Sequence, residues 1–145
     1  MDLPSEKPAF GWADAVAAHV TGGGALIFSH WDISSAGPVV DLLEVSVGAG
    51  HDALPIHAWT ASPLFDSPNE VPTSLLDITD MWGTNGFYLT PVPPAYAVAG
   101  FVPTDTDGQA AIVVGNSDRT IFNGFLYDDF TGDEDGDGDP DMVEL

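Results

Sequence analysis

From Ala25 onward the chain is written in short apolar runs, each cut off by Gly, Pro, Asn or Asp. The runs are ALIFSHW (25–31), VVDLLEVSV (39–47), LPIHAWT (54–60), GFYLTPV (86–92), AYAVAGFV (95–102), QAAIVVG (109–115) and RTIFNGFLY (119–127). Segments this short, rich in β-branched and aromatic residues and bounded by turn formers, read as strands rather than helices. Val39, Leu43, Val45 and Val47 share one face of a period-two pattern interrupted by Asp41; Tyr96, Val98 and Val102 share another. Prolines 38, 63, 68, 72, 91, 93, 94 and 103 fall mostly between the runs, where a missing N–H breaks no ladder. The fold class predicted is all-β, a sandwich or partly closed barrel of about seven short strands.

Upstream, PAFGWADAVAAHVTGGG predicts one short N-terminal helix. Phe10, Ala13, Ala17 and Val20 approximate a helical stripe, Ser5 or Pro8 marks its start, and Gly22 to Gly24 end it. Residues 61–85 have the weakest pattern, and ASPLFDSPNEVPTS reads as a long surface loop. The chain therefore divides into an N-terminal segment (1–24), a β-rich domain (25–130) and an acidic tail (131–145).

Charge narrows the partners. The 145 residues include 23 acids against Lys7 and Arg119, for a net charge of −21. Removing the seven acids of the tail leaves −14 on the rest, so the acidity is global. Nucleic acid and anionic membrane surfaces need basic patches, which two basic side chains cannot supply. Membrane insertion is not expected either, since no stretch reaches about 18 consecutive apolar residues. With 44% hydrophobic residues the chain can bury a core, and with no cysteine it has no disulfide framework. MDLPSEKPAF lacks the layout of a signal peptide, which leaves a cytoplasmic chain or one whose signal has been removed.

The tail, DEDGDGDPDMVEL, places five aspartates at alternate positions. Calcium wants about six to eight oxygens, and a short loop supplies them when every second side chain points inward and glycine turns the backbone. Asp133, Asp135 and Asp137 take positions 1, 3 and 5 of a twelve-residue loop, Gly138 position 6, Asp141 position 9 and Glu144 position 12. The competing reading is a solvated acidic end, because like charges repel and chain ends fray.

D-x-D-G-D-G-D-P-D-M-V resembles the calcium loop of FG-GAP or VCBS repeats and is similar to thrombospondin type 3 repeats. The resemblance implies side-chain ligands at Asp133, Asp135, Asp137 and Asp141, a backbone carbonyl from Asp139, and an extracellular or cell-surface setting. An EF-hand fits less well, since Pro140 stands where an apolar residue is usual and the exit helix is missing. DTDGQAAIVVGNSD (105–118) is a weaker echo, which makes Asp105 and Asp107 secondary ligand candidates. The resemblance covers about a dozen residues and transfers a cation loop, not a fold.

Catalytic patterns are thin. His19, His30, His51 and His57 form no HExxH or HxH, no GxSxG is present, and the glycines at 22–24 lack the Lys and Ser/Thr of a phosphate loop. No carboxylate pair is distinguished by its setting, so an enzyme is not expected. Trp12, Trp31, Trp59, Trp82, Tyr88 and Tyr96 offer an alternative, a platform for polysaccharide, with Trp82 in DMWGTNGFY foremost; the opposing reading buries them in the core. The expectation is an extracellular calcium-binding β-rich structural module that serves adhesion, spacing or self-assembly. The alternatives are a calcium-stabilised carbohydrate-binding module and an acidic halophilic protein.

Overall fold

The structure, a computed structural model, describes residues 11–29, 37–52, 54–66, 74–75, 84–125, 136 and 138. The β expectation holds: the strands form one curled mixed sheet, a half-barrel, with a short N-terminal helix. Helix α1 (Gly11–Thr21) is followed by β1 (Leu26–Ser29), a second short helix α2 (Gly37–Leu42), β2 (Val45–Asp52) and β3 (Ile56–Ala58). A 3-10 turn (Pro63–Phe65) then precedes β4 (Ser74–Leu75), β5 (Thr84–Pro91), β6 (Tyr96–Gly100), β7 (Ala110–Gly115) and β8 (Thr120–Asn123).

Helix α1 stops where the triple glycine predicts. Gly23 adopts φ +96°, its N–H bonds the Val20 carbonyl at 3.0 Å, and the Gly24 N–H bonds that of His19 at 2.8 Å. These are the two bonds of a Schellman cap, which satisfies carbonyls the helix end would otherwise orphan and needs a left-handed residue. Val20 is fully buried, and Ala13 and Val16 pack against the core. Residues before Gly11, including Phe10 and both predicted start positions, lie outside the described residues.

The run VVDLLEVSV is not one strand. Val39, Val40 and Leu43 are buried and Asp41 is exposed, the i, i+1, i+4 pattern of a helix with its polar side outward. The i, i+4 spacing of Val39 and Leu43 satisfies period two as well, which is why alternation alone misassigns it. Gly37 and Pro38 open α2, where a missing N–H costs nothing. Glu44, at φ 58°, breaks the helix and releases Val45 into β2.

The sheet runs β1-β8-β7-β6-β3-β4, while β5 joins β2 to β7 through the pair Leu89 and Ala110. Every pairing is antiparallel except β1 with β8. Strand β7 is buried along its whole length, with Ile112 and Val114 in one apolar cluster and Val113 in the other. A strand covered on both faces reads as a continuous apolar run, as AAIVV does.

Ala99 pairs with Ile112 but Gly100 with Ala110, so Ala111 is an extra residue in β7; likewise Val98 is extra in β6. Such bulges bend a sheet and shift side chains between faces. Consequently Tyr96 is exposed, Val98 buried and Val102 half-buried, and the predicted common face does not exist. Residues 61–85 are also more than a surface loop. Ser62 caps the 3-10 turn by accepting from the Leu64 N–H at 3.4 Å, Phe65 is buried, and β4 pairs with β3.

Candidate functional site

Asp133, Asp135, Asp137, Asp139, Asp141 and Glu144 lie outside the described residues. Of the tail, the structure describes Gly136 at φ +77° and Gly138 at φ +100°, both exposed. A Cβ built on either would meet nothing within 4 Å, so crowding does not explain the choice of glycine. The left-handed backbone does, since it disfavours any side chain.

Asp105 and Asp107 are exposed on the β6–β7 connection. That hairpin closes through the Phe101 N–H to the Gln109 carbonyl at 3.0 Å and the Gln109 N–H to the Thr106 carbonyl at 3.1 Å. Among the described residues no group of three or more His, Cys, Asp or Glu side chains could hold a metal ion. The DTDG segment forms a turn there.

The three described histidines sit on separate elements. His19 is exposed and its Nε2 lies 2.9 Å from the Ala25 carbonyl. His51 is buried against Phe101 and Tyr88, with ring centroids 4.1 Å and 4.7 Å apart. His57 belongs to a different strand, β3, and His30 lies outside the described residues.

Most described aromatics serve packing. Trp59 donates from Nε1 to the Val102 carbonyl at 2.7 Å, and Tyr88 meets Phe101 edge to face. Trp12, 38% exposed, stacks on Phe28. Trp31 and Trp82 lie outside the described residues. Tyr96 differs: it is 48% exposed and its hydroxyl donates to Asp118 Oδ1 at 2.7 Å.

That pair borders the most unusual backbone in the described fold. Asn116, Ser117 and Asp118, the β7–β8 connection, take φ of 53°, 57° and 64° in succession. Each left-handed non-glycine residue costs about 1–2 kcal/mol, least for Asn and Asp. Hydrogen bonds hold the loop in place. The Asn116 N–H donates to Glu44 Oε2 at 2.9 Å, and Asn116 Nδ2 donates to the Leu42 carbonyl at 2.9 Å and to Thr120 Oγ1 at 3.1 Å. Glu44, itself left-handed, thereby ties the α2–β2 junction to this loop.

Beside the loop lies a groove of about 340 Å³. Val114 and Ile121 form its apolar base, the 3-10 turn with Ser62, Pro63 and Leu64 one wall, and Tyr96 with Asp118 the polar rim. The volume falls at the small end of ligand pockets, about 300–1,000 Å³. Sequence reading places Tyr96 among the platform aromatics but misses the groove, which the 3-10 turn, β6, β7, the β7–β8 connection and β8 assemble. The one local clue is Asn-Ser-Asp, a run of residues tolerant of turns.

The Tyr96 pKa is raised above the ordinary 10.0, first by the hydrogen bond to Asp118, then by the ring's own partial burial, then by the negative charge of Asp118. Folding thus favours the protonated phenol. The stabilisation is full below the unfolded pKa and is lost as pH rises through the folded value. Tyr96→Phe should therefore reduce stability by a constant amount below about pH 9 and by less above pH 10. Urea unfolding of both proteins across that range checks this, and a gap that widens with pH would contradict it.

No family model, curated protein or solved structure matches this chain.

Proposed function

We propose that the chain is an extracellular, calcium-binding β-rich structural module, with the tail loop as its cation site. The observation that carries the reading is the alternation of Asp133, Asp135, Asp137, Asp139 and Asp141 around Gly136 and Gly138, both left-handed. A loop that must aim successive carboxylates at one point needs sharp backbone turns, and glycine permits them. A net charge of −21 adds a field that attracts cations. Bound calcium offsets the repulsion among the tail aspartates and clamps the C-terminal segment against the domain or a neighbouring copy. Its role is structural rather than catalytic: adhesion, spacing or assembly at a surface.

Titration calorimetry with calcium tests this directly. Binding at millimolar concentration or tighter is expected, and Asp135→Ala with Asp137→Ala should abolish it. At 100-fold saturation a ligand specific to the folded state adds about 2.7 kcal/mol, so EDTA should lower the melting temperature and the double variant should remove that response. If sodium chloride stabilises the protein as well as calcium does, and EDTA has no effect, the acidity belongs to salt adaptation and the calcium reading fails.

A further inference from the structure

Asp118 carries its charge without an internal cation among the described residues. The only Lys or Arg among them is Arg119, whose Nη1 donates to the Val20 carbonyl at 2.7 Å and the Gly24 carbonyl at 3.4 Å. Although adjacent in sequence, that guanidinium is committed to the end of α1. The Asp118 carboxylate accepts from the Tyr96 hydroxyl through Oδ1, which leaves Oδ2 for a further donor. The Tyr96 ring stands half-exposed at the rim, and below it Val114, Ile121 and Leu64 offer apolar surface.

We propose that this groove binds an organic cation, an ammonium or guanidinium head on an apolar stem, with the head on Asp118 and Tyr96 and the stem over Ile121 and Val114. Three observations select this class. One carboxylate falls far short of the about six oxygens calcium needs, so the groove is not a second metal site. Beyond the carboxylate its polar side chains are only Ser62 and Tyr96, and the Tyr96 hydroxyl already donates to Asp118, which leaves few partners for the several hydroxyls of a neutral sugar. A net charge of −21 repels anions and concentrates cations, while an aromatic face beside a carboxylate favours a soft organic cation over a strongly hydrated inorganic one. The preference of Tyr96 to remain protonated keeps its hydroxyl as a donor to Asp118, which orients the carboxylate. The site is independent of the tail loop and does not rest on the calcium reading.

Nuclear magnetic resonance titration at fixed ionic strength provides the test, with n-butylammonium, Nα-acetyl-lysine N-methylamide and methyl glucoside as probes and sodium chloride as control. The two amines are expected to shift residues around Tyr96, Asp118 and Ile121 saturably, whereas the glucoside and sodium leave them unmoved. Binding of butylammonium without the blocked lysine identifies small free amines as the ligand; binding of both identifies a protein-borne lysine. Asp118→Asn should weaken binding about tenfold, the loss of one charged hydrogen bond. Asparagine tolerates the left-handed backbone there, so the fold should persist. Tyr96→Leu, at an exposed position, removes the ring face and should also weaken binding. Diffuse shifts over all acidic residues, unchanged affinity in both variants, or tighter binding of the glucoside would each overturn the proposal.

Discussion

Phe122→Ala is expected to destabilise the protein by about 3–5 kcal/mol, the range for removing a buried phenylalanine. Phe122 is 1% exposed and sits in β8 between Phe28 of β1 and Val113 of β7. Its ring stacks on Phe28 at 5.3 Å and 14°, and Phe28 stacks in turn on Trp12 of α1 at 6.5 Å and 9°. One side chain therefore links the helix, the parallel edge strand and the centre of the sheet. Truncation removes its transfer free energy and also leaves a cavity that α1 and β1 cannot fill without leaving their register. A domain of this size has about 5–15 kcal/mol in total, so the variant should be near its unfolding midpoint in modest urea. The denaturation midpoint should fall with the m-value unchanged. Trp12→Ala, at the exposed end of the stack, should cost far less. Equal costs for the two, or a cost below about 1 kcal/mol for Phe122→Ala, would mean that the stack does not anchor α1.

These rings also show which parts of the fold a sequence makes legible. Runs that stay apolar between turn residues, such as ALIFSHW, QAAIVVG and RTIFNGFLY, contain β1, β7 and β8 because local composition and burial agree. The Gly22–Gly24 stop is legible for the same reason, since a single backbone requirement selects glycine. VVDLLEVSV fails because its apolar spacing satisfies two periods at once. The deciding feature is the left-handed Glu44, whose carboxylate reaches Asn116, 72 residues away.

Bulges in β6 and β7 are likewise invisible locally, because they are defined by a partner strand. The two candidate sites differ in the same way. The candidate ligands of the tail are close together in the sequence, so their spacing can be read directly. The groove depends on Leu64, Tyr96, Val114, Asp118 and Ile121 meeting across a curled sheet, and nothing local marks that meeting.

Gly124→Ala is expected to cost about 3 kcal/mol or more, at or above the upper end of ordinary overpacking. Gly124 is buried where the chain leaves β8 and β5 passes across it. Its N–H bonds the Ala111 carbonyl at 2.8 Å, and its carbonyl accepts from the Phe87 N–H at 2.6 Å. Gly86 completes the crossing through an antiparallel bridge to Phe125. A Cβ on Gly124 would land inside van der Waals contact of the Phe87 carbonyl oxygen and 3.0 Å from Leu89 Cγ. A flexible side chain could rotate away from such a methyl group, but a backbone carbonyl cannot. Relief requires β5 to move off β8, which breaks the Phe87 bond and loosens the Leu89–Ala110 pairing that joins β2 and β5 to the rest of the sheet. Amide exchange in β5 should accelerate in this variant well beyond the change in β3, which β7 and β6 separate from β8. Uniform acceleration would indicate global destabilisation without the local opening. A cost under about 1 kcal/mol would show that the two backbones do not approach as closely as the crossing requires.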